Sequence, residues 1–110
     1  MNECLWQIDF YDKHVYKEIM GWPNAIKARF TRTVQLMKKF GPDLGMPYTK
    51  ALGDGLFEIR VKAHEGIGRV FYCYAMDRQI MVVHALIKKT QKTPWHDLYL
   101  ARKKQRALKY

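Results

Sequence analysis

At 110 residues the chain is long enough for one domain around a single core, residues 1–110, and nothing in it suggests a second. A hydrophobic fraction of 48% and an aromatic fraction of 14% argue for a folded globule, since disordered chains lack the apolar content to offset the entropy of ordering. Twenty Lys and Arg against ten Asp and Glu leave a formal charge of +10, whose field draws polyanions. Nucleic acid is the first candidate partner; an anionic membrane surface or an acidic protein would answer to the same field.

Leu5 to Tyr11 is rich in apolar and aromatic residues and predicts a first strand. His14 to Met20 predicts a short helix. Gly21-Trp22-Pro23 interrupts it, with Pro23 placed as the first residue of the next helix. From Asn24 to Phe40, Ile26, Phe30, Val34, Met37 and Phe40 recur at steps of three and four. They form one apolar stripe of an amphipathic helix, with Lys27, Arg29, Arg32, Lys38 and Lys39 largely off it. Gly41 and Pro42 end that helix, and the segment through Gly45 and Pro47 reads as a loop.

Leu56 to Ala63, Gly68 to Ala75 and Gln79 to Ile87 are predicted strands, with connections short enough for an antiparallel meander. In the first, Phe57, Ile59 and Val61 share one face and Glu58, Arg60 and Lys62 the other, as in a strand with one face free for polar work. Lys88 to Pro94 is a short cationic loop. Thr93 is placed to cap a final helix that opens on Pro94, with Asp97 near the positive end of its dipole. Leu98, Ala101 and Leu108 make a weak apolar stripe there. From Lys88 onward eight cations, including Lys92, Arg102, Lys103, Lys104 and Arg106, are opposed only by Asp97.

Cys4 and Cys73 form no CxxC pair and fall in predicted buried strands, which reads as reduced structural cysteine in a cytosolic protein. The N-terminus shows no basic leader or long apolar core, and no apolar run approaches membrane-spanning length, so secretion and insertion are not expected. The four histidines and two cysteines have no zinc-site spacing, and Gly53-Asp54-Gly55 is too short for a phosphate-cradling loop, so no metal or nucleotide cofactor is expected.

Between Gly45 and Arg106 several blocks occur in a telling order. They are Pro47-Tyr-Thr-Lys50-Ala-Leu52, Gly55-Leu-Phe-Glu-Ile-Arg60, Arg69-Val-Phe-Tyr72, Ile80-Met-Val-Val-His84, Lys88-Lys-Thr-Gln-Lys-Thr-Pro94, and Leu98 with Ala101. In this order they resemble the phage-derived HigB branch of the RelE/ParE toxins. The resemblance implies an α+β, RelE-like domain: an antiparallel sheet with N-terminal helices packed on it, closed by a basic C-terminal helix. It also implies the toxin of a type II toxin–antitoxin pair, a metal-independent endoribonuclease that cuts mRNA, usually on the translating ribosome. A HigA-like helix-turn-helix antitoxin would neutralise it.

Metal-free RNA cleavage uses the neighbouring 2′-hydroxyl as nucleophile, so the protein must stabilise charge on a phosphorane-like transition state and move protons. Arg60 and Arg69, on adjacent predicted strands, can offer planar forks to phosphate oxygens. Lys88 and Lys89 can position or neutralise the same phosphate. His84 is open between general base and buried core residue, since it alternates with Ile80, Val82 and Leu86. His64 and His96 read as surface residues. Lys50 is open between RNA contact, by family analogy, and a solvated loop lysine. Arg102 and Arg106, with Lys92, make either a solvated face or a basic rim that binds RNA phosphate. Phe57, Phe71, Tyr72 and Tyr74 are either core or base-stacking platforms, and Trp22 and Trp95 read as packing residues. The chain departs from the RelE branch in having only Tyr99 and the terminal Tyr110 near its C-terminal end. Two rival functions share these features: a ParE-like gyrase inhibitor that cuts no RNA, and a non-enzymatic basic nucleic-acid-binding module.

Overall fold

A computed structural model describes residues 5–75, 77–89, 92 and 94–108. The chain runs β1 (Gln7–Phe10), α1 (Lys13–Met20), α2 (Asn24–Phe40), β2 (Thr49–Gly53), β3 (Leu56–Ala63), β4 (Gly66–Ala75), β5 (Gln79–Lys88) and α3 (Trp95–Leu108). The five strands form one sheet in the order β1-β5-β4-β3-β2. The α+β class and the central meander of β3, β4 and β5 are as the sequence predicts.

Two strands extend that expectation. Thr49–Gly53, beyond the predicted loop, forms β2 and pairs antiparallel with β3, so Lys50 is a strand residue rather than a loop lysine. The N-terminal strand joins the opposite edge in parallel, Gln7 facing Gln79 and Phe10 facing Val82. The sheet is therefore antiparallel except along that edge.

Local chemistry sets the helix ends. The Asp12 side chain accepts from the Val15 amide at 3.0 Å and opens α1. Pro23 stays extended at ψ 145, so α2 begins at Asn24, one residue later than predicted. Gly41 at φ 102 leaves the helical path while its N–H reaches the Met37 carbonyl at 2.8 Å, a conformation that suits glycine. Thr93, the predicted cap of α3, and Cys4 lie outside the described residues.

The sheet is buried on both sides. On one, α1 and α2 bring Ile19, Trp22, Ile26 and Phe30 onto Ile59, Val70, Tyr72 and Val82. On the other, α3 lays Ala101, flanked by Leu98 and Leu108, over Leu56, Phe71, Cys73 and Leu86. Phe57, Phe71 and Tyr72 are core residues, while Tyr74 is exposed. Phe40, assigned to the apolar stripe of α2, is exposed at the last position of the helix. Trp95 also departs from expectation: it is 76% exposed at the start of α3, whereas Trp22 is buried and donates to Glu18 at 2.9 Å. No helix among the described residues is long and apolar enough to cross a membrane.

At Gly68 the helical layer packs tightly on the sheet: a Cβ there would meet Trp22 Cζ3 at 2.8 Å and Ile26 Cγ2 at 2.9 Å. Gly68→Ala is expected to cost roughly 1–3 kcal/mol by overpacking. A urea titration checks it, and an unchanged midpoint would show that the helix can retreat.

Burial pushes the Cys73 thiol up to about 11 from an ordinary 9.0. It raises the Tyr72 phenol above its usual range too, where the hydroxyl donates to the Pro42 carbonyl. Both groups keep their protons longer in the folded state, so their contribution is intact below the unfolded values and is lost as pH rises. Unfolding free energy should fall from about pH 9 upward, first through Cys73 and then through Tyr72. In Cys73→Ala the decline should begin about one pH unit later; denaturant titrations at pH 8, 9 and 10 test this, and an identical slope in both proteins would contradict it.

Candidate functional site

The register of β3 and β4 sets Arg60 opposite Arg69. Paired residues on antiparallel strands project from the same face, so two guanidinium groups are brought side by side and repel. Glu58, two residues before Arg60 and hence on the same face, lies between them. Its carboxylate accepts from Arg60 Nη2 at 3.2 Å and from Arg69 Nη1 at 3.4 Å. Glu58 and Arg69 are 1% and 0% exposed, while the Arg60 side chain is 30% exposed. This face of β3, expected to be free along its length, is thus closed at Glu58 and opens only from Arg60 outward.

The two arginines are not equivalent. Burial, and after it the neighbouring Arg60, lowers the pKa of the Arg69 guanidinium, with Glu58 opposing the shift. Arg69 therefore acts through Glu58 and has no surface to offer a ligand in this conformation. Arg60 does: its side chain reaches solvent, although its Nε is buried and, like that of Arg69, has no hydrogen-bond partner among the described residues.

Beside Arg60 is a cleft of about 450 Å³. It exists because β2 is short, pairing with β3 no further than Thr49 opposite Ile59 and leaving the outer edge of β3 open. Arg29 and Arg32 of α2, Lys50 of β2, and Arg60 and Lys62 of β3 line it with Glu58, five cations against one carboxylate. Met46, Pro47 and Tyr48 line it as well.

His84 is placed by a register shift. The pairing skips between Phe71 and Tyr72 of β4, so Val83 and His84 form a bulge that turns the imidazole to the α3 side, away from Ile80 and Val82. There it lies over Phe71 and contacts Asp97 Oδ1 through Nε2 at 2.8 Å and Lys104 Nζ through Nδ1 at 3.3 Å. A carboxylate only accepts and an ammonium only donates, so one neutral tautomer with its proton on Nε2 satisfies both. With both nitrogens engaged, His84 fastens α3 to the sheet. His64 and His96 are exposed.

Lys50 and Arg60 thus share the cleft. Lys88 lies in the same cross-strand row as Lys62, each opposite Ile67, two strand spacings or roughly 10 Å apart. Lys88, Lys89, Lys92 and Arg106 are exposed but do not line the cleft. Arg102 is committed elsewhere: its fork donates to the carbonyls of Leu52 at 2.9 Å and Gly53 at 2.7 Å, tying α3 to the β2–β3 turn. Glu58, Lys62, Arg29 and Arg32 complete the site without having been singled out from sequence. Strand alternation linked the first two to Arg60, and the off-stripe position of the arginines was their only signal. Among the described residues no group of three or more His, Cys, Asp or Glu side chains could hold a metal ion.

The family model described as "Phage derived protein Gp49-like" matches residues 17–106. Among solved structures the chain is similar to the archaeal RelE–RelB complex from Pyrococcus horikoshii OT3, at a TM-score of 0.57 and 16% identity, over 80% of this chain and 99% of that one. At that identity the likeness speaks for the fold, which is RelE-like. No curated protein matches the sequence.

The buried carboxylate is expected to hold the site together. Glu58→Ala leaves Arg69 shielded from water and beside Arg60 without the compensating charge, at an expected cost of roughly 3–5 kcal/mol. Arg60→Ala, which removes the more exposed partner, should cost much less. Chemical denaturation of the two variants makes the comparison, and equal losses would contradict the bridging role.

Proposed function

This chain belongs to the phage-derived Gp49-like family, and we propose that it is the toxin of a type II toxin–antitoxin pair, an endoribonuclease that needs no metal and cuts mRNA on the translating ribosome. The observation that carries this reading is Arg60: a braced, partly exposed guanidinium at the head of a cationic cleft, with Lys50 and Lys62 beside it.

Attack of a 2′-hydroxyl on the adjacent phosphorus loads negative charge onto the equatorial oxygens, and a fixed cation stabilises that charge without reorganising. Arg60 is such a cation. Glu58 takes one edge of its guanidinium and leaves other donors to face a phosphate, so its direction is set before RNA arrives. Arg69 is a positioning residue behind the same carboxylate. Lys50 and Lys62 add positive potential on either side, and Lys88 and Lys89 extend it along the end of the sheet, where an RNA strand leaving the cleft would find them.

The partner that restrains this activity is a helix-turn-helix antitoxin of the HigA type, with an acidic segment that covers the cationic surface. Support comes from the charge of +10 and from the similar RelE, which was solved with RelB. The place of action is the cytoplasm, where mRNA and ribosomes are.

Inducing the protein and mapping mRNA ends by primer extension should reveal new cuts, and purified protein should still cut RNA in EDTA. Arg60→Ala should lower cleavage about 10²- to 10³-fold while the circular dichroism spectrum is kept. Supercoiling defects with intact mRNA would assign the chain to gyrase inhibition instead, and RNA binding without cutting would make it a non-enzymatic module.

A further inference from the structure

The cleft has a second wall that cleavage at Arg60 does not use. Arg29 and Arg32 stand three residues apart on α2, close to one turn, and so share a face. Both are exposed, both line the cleft, and neither has an acidic partner among the described residues. Beside them Thr33 is buried and donates its hydroxyl back to the Arg29 carbonyl at 3.0 Å within the helix. Lys62 faces the same space from the part of β3 that β2 leaves uncovered.

The opposite rim is apolar and firmly held. Met46 is 72% exposed and Tyr48 43%. Neither is loosely attached, because the segment closes on itself. The Gly45 amide donates to Thr49 Oγ1 at 2.8 Å, and the Tyr48 and Thr49 amides both return to the Gly45 carbonyl at 3.0 Å. A thioether and a phenol ring are therefore displayed to water among the residues that line a cationic cleft.

Exposed flat apolar surface beside unpaired guanidinium groups matches the two halves of a nucleotide: a base to stack and a phosphate to clamp. We propose that the space between α2 and the 46–48 rim is a second RNA subsite. Tyr48 and Met46 seat a nucleobase next to the scissile position, and Arg29 and Arg32, with Lys62, hold a neighbouring phosphate. The cleft volume of about 450 Å³ is in the range of small-ligand sites, and Arg60 belongs to the same cleft, so a strand gripped here is continuous with the linkage to be cut. An acidic peptide would answer to the cations, but it has no use for the displayed ring and thioether. The subsite rests on the reading of the chain as an RNA-acting protein and adds to it the residues that set the path of the strand.

The probe is a short, labelled single-stranded RNA methylated at every 2′-oxygen, so that it cannot be cleaved, with binding followed by fluorescence anisotropy over a range of salt. The Arg29→Ala/Arg32→Ala double variant should bind about tenfold or more weakly, with a log–log salt slope shallower by roughly 0.7 for each phosphate it no longer neutralises. Tyr48→Ala should weaken binding about fivefold or more, as one base goes unstacked, while leaving the slope unchanged. Lys17→Ala, on α1 away from the cleft, should bind as the parent does. Thermal melts establish that these surface changes leave the fold intact.

If the parent binds and cuts RNA but the double variant and Tyr48→Ala bind as tightly as it does, the subsite is wrong and the nuclease reading stands. If the double variant loses only its affinity for poly-glutamate and keeps that for RNA, the cleft belongs to an acidic protein and the proposal is overturned. If the parent neither binds nor cuts RNA, the functional reading itself fails and the subsite with it.

Discussion

The Glu58 carboxylate, closed off from water between the guanidinium groups of Arg60 and Arg69, is the contact on which the site turns. Adjacent strands in register force the two arginines together, and without an anion between them that pairing would be repulsive. Taking Glu58 and Arg69 out of water is a poor way to gain stability, since apolar residues of similar size often serve as well or better. What the triad does provide is direction. It fixes a cation on a rigid element at the edge of a cleft, which is what stabilising a developing phosphorane charge demands.

The remaining architecture serves that edge. The apolar faces of α1 and α2 cover one side of the sheet and α3 part of the other. The open ground is the polar end of β3 and the margin that the short β2 does not reach. α3 is held over its half by polar contacts at two points, His84 with Asp97 and Lys104, and Arg102 and Gln105 with the β2–β3 turn. Much of the basic helix that composition suggested for RNA is thus engaged in holding the domain closed.

Periodicity revealed α2 because it buries one regular face, and the three long strands showed as apolar runs between short turns because the sheet is covered on both sides. β2 escaped because five residues after a proline, ending at Gly53, carry no alternation of their own; their pairing is set by β3. The side occupied by His84 is not legible for a related reason: one bulge at Val83 inverts the parity, and bulges leave no mark in a pattern of apolar residues. Arg60 and Lys50 were found through family blocks. Burial of Glu58 could not be, since an acid in an alternating strand reads as solvated until its cross-strand neighbour is known. Arg29 and Arg32 likewise looked like ordinary solvated helix charges, and only the fold sets them opposite β3.

The parallel seam between β1 and β5 orders events in time. Hairpins of β3, β4 and β5 join neighbours in the chain and can form early, but Gln7 must wait for Gln79, and α3 comes after that. While the chain is being synthesised, the first strand has no template until β5 has left the tunnel. A copy made only as far as β4 therefore lacks both an outer edge of its sheet and the helix that shuts the opposite face.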